Sequence, residues 1–570
     1  MNRRTKRFIK NLFALVLACA CLFAATTVEA KSGYIYDSDG QPIQSSVGFV
    51  LNTNGVFNVN STAWNGQINA AEINNFADLY VYNDGVEERI YAVDSGSNTL
   101  FVFDRSINFI EKLTKFEINP DDFTNNELLK IKTRNENAKT SSALVTTDSL
   151  VKINEYREIP YEERTEEQKL YIRCNGLSSV FRTIRPVKVD GVNTGEYIDV
   201  IFLCDRDNGQ ILLLDSKTYK VLDVFTAPEK ADFSSKFAPS KMVTDTTGRM
   251  YVISVGVYEG IILLDYEGNW MRYVGVNYTT LGFWDALTRN FKTEEQLAQE
   301  TSILSTEFNN LTIDSKNFLY TVSRATTNPI TQVTDDKSMV KRINQTGKDI
   351  LIRNGYSVPK GDLVTIKTGA NAGGSNFCGI TVNEFGVYTI VDSKMGRLFT
   401  YDNEGNLLYI SGGKGVEQTD IKNPVAVRYQ GDNVLVLDQG NCAILRFELT
   451  DFAKSVNKAT EYQFYGDTIN AANEWANVIA ANPNYQLAYV GVGKTLLEDG
   501  RYQEAMAYFE LGDDVAYYSR AYKKYRDDLI KEYFPYVLYG GLGLAVACIA
   551  VAIVKNAKKK KNPDLEGEVI

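Results

Sequence analysis

Residues 91–104 read YAVDSGSNTLFVFD, and residues 202–215 read FLCDRDNGQILLLD. Each stretch has an apolar run that ends in Asp, about five turn-forming residues, and a second apolar run that also ends in Asp. The pattern returns as TIVDSKMGRLFTYD at 389–402 and as LVLDQGNCAILRFE at 435–448. A chain that repeats one short pattern along its length is an array of similar structural units.

Two looser copies extend the array. Residues 252–265 read VISVGVYEGIILLD, with Val255 in place of the Asp, and another copy begins at 320 and resumes at 339 after an insertion. Alternation of apolar and polar residues within the runs predicts half-buried strands, and Gly and Asn recur where hairpin turns require positive φ. A four-stranded sheet of this kind can cover its two faces with its neighbours when the copies are arranged radially.

Six copies therefore predict a mainly β fold, a six-bladed β-propeller over residues 31–455. The ring is predicted to close between Tyr34 and about Phe447. Seven blades remain an alternative, because 111 residues separate Asp94 from Asp205 and two ordinary repeats nearly fit there.

The repeated acidic residue is predicted to be structural. A residue that recurs at one position in every blade is expected to close the adjacent turn through local hydrogen bonds, and a catalytic role is the alternative. The chain has no histidine, which excludes Ser-His-Asp and Cys-His pairs and the usual His-ligated zinc and copper sites. The recurring residues are Asp94, Asp205, Asp392 and Asp438.

Both ends of the chain indicate an exported and anchored protein. Residues 1–30 have basic residues, an apolar stretch and then Val-Glu-Ala, which predicts a signal peptide cleaved after Ala30. Residues 533–555 are predicted to be a transmembrane helix, and the basic tail, 556–570, places that side in the cytoplasm. We therefore expect a single-pass type I protein of the cell membrane with an extracellular ectodomain. Acidic residues outnumber basic ones, 71 to 61, which argues against nucleic-acid partners.

Residues 456–532 change from strand alternation to helical periodicity. The spacing of small and aromatic residues resembles a tetratricopeptide repeat, with about one and a half repeats. Either a rigid stalk or a peptide-binding groove is consistent with this length. The residues at the motif's offsets are Tyr489, Gly493, Gly500, Tyr502, Ala505 and Phe509, and Ala471 and Trp475 match a preceding repeat.

The strand pattern with Val-Asp before the turn and Phe-Asp after the second strand resembles the NHL repeat. Three stretches, 305–325, 386–415 and 484–509, resemble a group of bacterial NHL-like membrane proteins that share a tetratricopeptide-like region and a single transmembrane helix. The resemblance implies a propeller scaffold and an association with carbohydrate ABC transporter components. NHL blades often carry Arg five residues after the Asp, and here only Arg397 fits that position.

Two insertions, 114–180 and 276–306, interrupt the repeat. In the first, EEQKLYIR predicts a helix or a flap. In the second, Tyr278, Phe283 and Trp284 form a candidate aromatic platform for the apolar face of a sugar, or they pack an inserted helix onto the propeller.

Four cysteines outside the leader and the membrane segment lack metal-site spacing and are predicted to be free, buried thiols: Cys174, Cys204, Cys378 and Cys442. The fragments DSDG (37–40) and DRDNG (205–209) resemble parts of a calcium loop but lack its distal Glu, so hairpin turns are expected.

These features predict a membrane-anchored extracellular binding or accessory module that is not an enzyme. Its ligand would be a glycan, a solute-binding protein or a transporter component. The alternative is a metal-dependent extracellular propeller enzyme, a lactonase or a carbohydrate-active enzyme, that uses calcium bound by Asp, Glu and Asn at the central channel. A structural envelope protein is a third class.

Overall fold

The computed structural model describes residues 33–36, 41–123, 159–165, 168–189, 192–228, 237–275, 307–323, 326–327, 334–335, 339–353, 359–362, 375–415, 417 and 419–561. The chain divides into two compact units, Met1–Asn457 and Lys458–Ile570. The predicted leader, 1–30, and the last nine residues of the predicted tail lie outside the described residues.

Six sheets in the first unit form the blades, which confirms the predicted six-bladed propeller. Three strands precede blade 1: β1 (Tyr34–Tyr36), β2 (Pro42–Gln44) and β3 (Phe49–Phe57). Blade 1 holds β4 (Phe76–Asn83), β5 (Glu88–Asp94), β6 (Thr99–Asp104) and β7 (Phe109–Leu113). Next along the chain come β8 (Phe116–Ile118) and β9 (Leu170–Ile172), and then blade 2 with β10 (Leu177–Val189), β11 (Val192–Asp205), β12 (Gln210–Asp215) and β13 (Val221–Thr226). Blade 3 holds β14 (Pro239–Thr244), β15 (Met250–Ser254), β16 (Ile261–Leu264) and β17 (Trp270–Val274).

The remaining blades follow the same antiparallel order. Blade 4 holds β18 (Phe308–Ile313), β19 (Leu319–Ser323) and β22 (Val340–Ile343), with the short pair β20 (Thr326–Thr327) and β21 (Thr334–Asp335) between the last two. Blade 5 holds β23 (Phe377–Val382), β24 (Tyr388–Asp392), β25 (Arg397–Tyr401) and β26 (Leu407–Gly412). Blade 6 holds β27 (Pro424–Gln430), β28 (Asn433–Asp438) and β29 (Ala443–Leu449), and its fourth strand is β3.

The closing strand differs from the prediction. The ring closes where Phe447 of β29 pairs with Leu51 of β3, so the N-terminal partner is Phe49–Phe57 and not Tyr34. Tyr34 belongs instead to the β1–β2 hairpin, and its hydroxyl donates to Asp362 Oδ2 at 3.0 Å. Arg397, the residue at the NHL arginine position, pairs with the same Asp362 oxygen at 2.8 Å.

The long interval between Asp94 and Asp205 adds strands to blade 2 and does not add a blade among the described residues. β8 pairs with the outer edge of β13, and β9 pairs with β8, so this sheet has six strands. Leu170–Ile172 of EEQKLYIR is therefore a strand, and the predicted helix is wrong there. β10 and β11 are also extended, with 13 and 14 residues.

The core lies between the blades, as a radial array requires. Tyr91 and Val93 of blade 1 pack with Leu203 of blade 2, while Ile90 on the other face of β5 packs with Leu437 of blade 6. Each such side chain is fully buried, and burying a large apolar side chain stabilises a fold by about 1.5–3 kcal/mol. The two faces of one strand thus hold two neighbours together.

Five helices end the described chain: α1 (Asp451–Tyr465), α2 (Thr468–Ala481), α3 (Gln486–Glu498), α4 (Tyr502–Leu511) and α5 (Val515–Lys561). Within the second unit, Gly491 lies against the Trp475 indole, and a Cβ on Gly493 would come within 2.6 Å of the Phe509 ring. Neighbouring helices therefore approach closely at these two glycines. α5 is long and apolar enough to cross a membrane by length and composition, and its apolar part is exposed.

Candidate functional site

The Asp that follows the second strand of blade 1 closes a turn, as predicted. Asp94 Oδ1 accepts from the backbone N–H groups of Gly96 and Ser97 at 3.0 and 2.7 Å. Its Oδ2 accepts from the N–H groups of Asn74 and Asn75 at 2.9 and 2.7 Å. One carboxylate therefore joins the β5–β6 turn to the segment that enters β4.

The other repeated aspartates make equivalent bonds. Asp438 accepts from the N–H groups of Lys422 and Asn423, and Asp392 accepts from that of Asn376. In blade 3 the register opposite Pro239 places Ser254, and not Val255, at this position. Ser254 Oγ accepts from Ala238 N–H at 2.9 Å, so a hydroxyl makes part of the connection that a carboxylate makes elsewhere.

Asp205 is held by one N–H and two side-chain amides, from Asn175, Asn208 and Gln210. Burial raises the pKa of Asp205 to about 7, although these hydrogen bonds oppose the shift. Gly209 has a φ of 64°, the left-handed conformation of a turn, and Asp207 pairs with Arg206 at 2.8 Å. DRDNG is thus a hairpin turn, as predicted, whereas DSDG (37–40) lies outside the described residues.

The innermost strands of the six blades share one irregularity. In each, a β-bulge separates the first paired residue from the next, for example Phe76 from Asp78 in blade 1. The residue after the bulge therefore occupies the same register position in every blade. These residues are Asp78, Ser179, Lys241, Asn310, Gly379 and Ala426 in blades 1 to 6.

At this position blade 1 supplies a carboxylate and blade 3 an ammonium group, and they form an ion pair. Ser179 of blade 2 donates to Asp78 Oδ2 at 2.6 Å. Arg428 of blade 6, two residues beyond Ala426, lies with Nη2 3.8 Å from Asp78 Oδ1. Side chains from blades 1, 3 and 6 can meet only near the central axis of a radial array. We name Asp78, Ser179, Lys241 and Arg428 the axial polar cluster.

The axial polar cluster is buried: Asp78 is 0% exposed, Lys241 6% and Arg428 7%. Burial, together with the Arg428 charge, lowers the pKa of Lys241, while Asp78 opposes that shift. A calcium site needs several oxygen ligands, usually with more than one carboxylate. One carboxylate flanked by two cations does not fit such a site. Among the residues that the structure describes, no group of three His, Cys, Asp or Glu side chains is placed to hold a metal ion.

Two open grooves lie at the end of the propeller that carries the β4–β5 and β6–β7 turns and their equivalents. The blade 3 groove has a volume of about 540 Å³ and is lined by Lys188, Thr247, Arg249, Asp265, Tyr266, Glu267, Met271 and Gln345. The blade 1 groove has a volume of about 500 Å³ and is lined by Asn83, Gly85, Val86, Glu87, Glu88, Arg89, Asp104 and Arg105.

Two features shape the blade 3 groove: the long β10–β11 hairpin and the fixed ring of Tyr266. Lys188 comes from the long β10–β11 hairpin, whose length brings it beside the blade 3 turns. The buried Arg185 guanidinium lies 3.6 Å from the Tyr266 ring centroid and also donates to the Tyr266 carbonyl oxygen. Because the ring also lies over Gly248, its position is fixed from two sides.

The sequence-predicted platform of Tyr278, Phe283 and Trp284 lies outside the described residues. The predicted thiols are free in the described chain, with Cys174 and Cys204 buried and Cys378 and Cys442 half-buried. Sequence reasoning missed the axial polar cluster. Charged residues inside otherwise apolar inner strands, Asp78 in FADLYVYN and Lys241 in PSKMVT, are the signal that identifies it.

No family model matches the chain, and no curated protein matches it. Solved structures are similar in fold at low identity. The chain is similar to streptogramin B lyase, with 11% identity, a TM-score of 0.36, and coverage of 71% of this chain and 98% of that one. It is also similar to virginiamycin B lyase from Staphylococcus aureus, with 9% identity, a TM-score of 0.33, and coverage of 73% and 87%. A luciferin-regenerating enzyme has 10% identity, a TM-score of 0.30, and coverage of 66% and 92%. Likeness at this level carries no inference about chemistry.

Proposed function

We propose that this chain is a membrane-anchored binding module, not an enzyme, and that its propeller recognises a glycan at the blade 3 groove on the extracellular side. The composition of that groove carries the proposal. Hydroxyl-rich ligands need hydrogen-bond donors and acceptors at short intervals. The groove offers donors from Lys188 and Arg249 and acceptors from Asp265 and Glu267.

The formal charges of these four side chains cancel, which favours a neutral glycan over a polyanionic one. Tyr266 adds a fixed, half-buried aromatic ring beside them. The metal-dependent enzyme is less well supported, because Lys241 and Arg428 occupy the axis where its cation would bind. Under this proposal α5 anchors the module, and a solute-binding protein or carbohydrate transporter component is its partner.

The test is the thermal unfolding of the full chain in detergent, with a panel of neutral and acidic oligosaccharides. A ligand at a hundred times its Kd adds about 2.7 kcal/mol to stability. We expect a neutral glycan to raise the unfolding temperature, and we expect Glu267→Ala to abolish the rise because it removes an exposed acceptor. Glu196→Ala, on the exposed part of the β10–β11 hairpin, is the matched control and is expected to keep the response.

A response to calcium alone would contradict the proposal and favour the enzyme. If no glycan changes the unfolding temperature, the glycan part of the proposal is wrong. Crosslinking in the native membrane would then show whether a transporter component is bound instead.

A further inference from the structure

We propose that the axial polar cluster binds one small monovalent anion, a halide or the carboxylate group of a small solute. This site lies at the propeller axis and not in the blade 3 groove, so the inference does not depend on the proposed function. It rests on charge balance and on unused hydrogen-bond donors.

The charges of the cluster do not balance. Asp78 contributes one negative charge, whereas Lys241 and Arg428 each contribute one positive charge. All three side chains are more than nine-tenths buried, and a buried excess charge is costly unless a counter-charge accompanies it. One monovalent anion would make the cluster neutral.

The two cations also have donors to spare. A lysine ammonium has three N–H donors, and the acceptor that the described residues give Lys241 is Asp78. Arg428 Nη1 donates to the carbonyl oxygens of Ile380 and Val427 at 3.1 and 2.9 Å. Its Nη2 is 3.8 Å from Asp78, longer than a hydrogen bond, and no described acceptor bonds to its buried Nε.

Both cationic groups approach the same carboxylate oxygen, Asp78 Oδ1. They therefore lie close enough together for one anion to accept from Lys241 Nζ and from Arg428. Lys241 Nζ and Arg428 Nε are themselves buried, so the small exposed fractions of these residues, 6% and 7%, belong to other atoms, and Asp78 is fully enclosed. A bulky solute therefore cannot reach the two cationic groups, and only a small anion is considered as the ligand.

The test compares anions at constant ionic strength. The full chain in detergent is heated in the potassium salt of a bulky sulfonate buffer, HEPES, with chloride or acetate replacing that sulfonate stepwise. We expect chloride to raise the unfolding temperature saturably, by about 2 to 4 °C or more. A further rise with acetate would assign a carboxylate site, and chloride alone a halide site. If neither ion changes the unfolding temperature relative to the sulfonate buffer, the cluster is balanced by loss of the Lys241 proton and the proposal is wrong.

Variants separate this site from general salt effects. Lys241→Met removes one positive charge and is expected to abolish the chloride response, whereas Lys241→Arg keeps the charge and is expected to preserve it. Lys217→Met, at an exposed turn of blade 2, is the matched control and should respond like the unmodified chain. A full response in Lys241→Met would overturn the assignment. If that variant does not fold, the comparison of anions on the unmodified chain still decides.

Discussion

The β5–β6 turn and the propeller axis use buried aspartates in opposite ways. At the turn, both carboxylate oxygens of Asp94 accept hydrogen bonds from backbone N–H groups of its own blade, four in all. An aspartate recurs at this position in blades 2, 5 and 6. At the axis, Asp78 pairs with side chains from other blades, and the equivalent position holds a different residue in each blade. The two positions lie only a few residues apart along the sheet.

The difference separates scaffold from candidate site. Every blade must close the same turn, so the residue that closes it repeats. Only one axis exists, so the residues that meet there need not repeat and can differ to suit one ligand. In a propeller, the position whose residue varies from blade to blade at a fixed register is therefore the better place to look for binding.

The largest expected effect comes from breaking the axial ion pair. Asp78→Asn leaves two buried cations without a carboxylate, and removal of one partner of a buried pair typically costs about 3–5 kcal/mol of unfolding free energy. Circular dichroism of the β signal during urea unfolding, in low-chloride buffer, measures this.

Adding Lys241→Met to Asp78→Asn removes one stranded cation and is expected to recover part of the loss, because the two residues are in direct contact. If the double variant is less stable than Asp78→Asn by the full cost of Lys241→Met alone, the two side chains do not interact and the axial ion pair is wrong.

Breaking the turn is the next largest effect. Asp94→Asn places an amide N–H₂ against backbone donors, and each buried group left unsatisfied costs about 1–3 kcal/mol, so a loss of about 2–3 kcal/mol is expected. Asp84→Asn, in the exposed β4–β5 turn, is the control and is expected to change little. The Asp94 and Asp392 effects should add, since these residues lie in separate blades, whereas strong coupling between them would contradict a purely local role.

The propeller scaffold can be predicted from sequence alone because each blade carries a copy of the same sequence pattern. The Val-Asp turns and the blade count follow from a pattern that recurs along the chain. The small residues Gly493 and Ala505 follow from the fixed period of the helical region. The closing strand is harder to predict, because β3 carries no copy of the repeat and pairs with β29 across nearly 400 residues. The tyrosines of β1 are the more conspicuous N-terminal feature, but they bond to Asp362 and do not close the ring.

The axial polar cluster escapes prediction for a related reason. Its members come from four blades, and no local pattern connects Asp78 with Lys241. The register makes Asp78, Ser179 and Lys241 equivalent, and the register depends on a bulge that sequence does not mark. Aligning the inner strands by the Asp or Ser that ends the next strand would place these three residues in one column and Arg428 two residues further along.

The third expected effect is a dependence of stability on pH that comes from Asp205. The pKa of Asp205 is raised to about 7 by burial, against an ordinary value of 3.8, so the folded state holds a proton that the unfolded state releases between about pH 4 and pH 7. Stability from this group is therefore present at low pH and lost as pH rises through 7.

We expect wild type to lose about 2 kcal/mol at most relative to Asp205→Asn between pH 5 and pH 7, because one pH unit is worth up to 1.36 kcal/mol. Urea unfolding of both proteins across that range measures the difference. Parallel pH profiles for the two proteins would show that Asp205 is ionised throughout, like an ordinary carboxylate.

The smallest expected effect tests whether the stability contributed by the turn residue depends on the number of hydrogen bonds it accepts. Ser254 replaces the carboxylate in blade 3 and accepts one bond, from Ala238 N–H, where Asp94 accepts four backbone bonds. Ser254→Ala should therefore cost about 1 kcal/mol, the usual net value of one neutral hydrogen bond, and Ser106→Ala on an exposed turn should cost less. A loss as large as that of Asp94→Asn would mean that blade 3 depends on this hydroxyl as fully as blade 1 depends on its carboxylate. The number of bonds would then not explain why Asp recurs in the other blades.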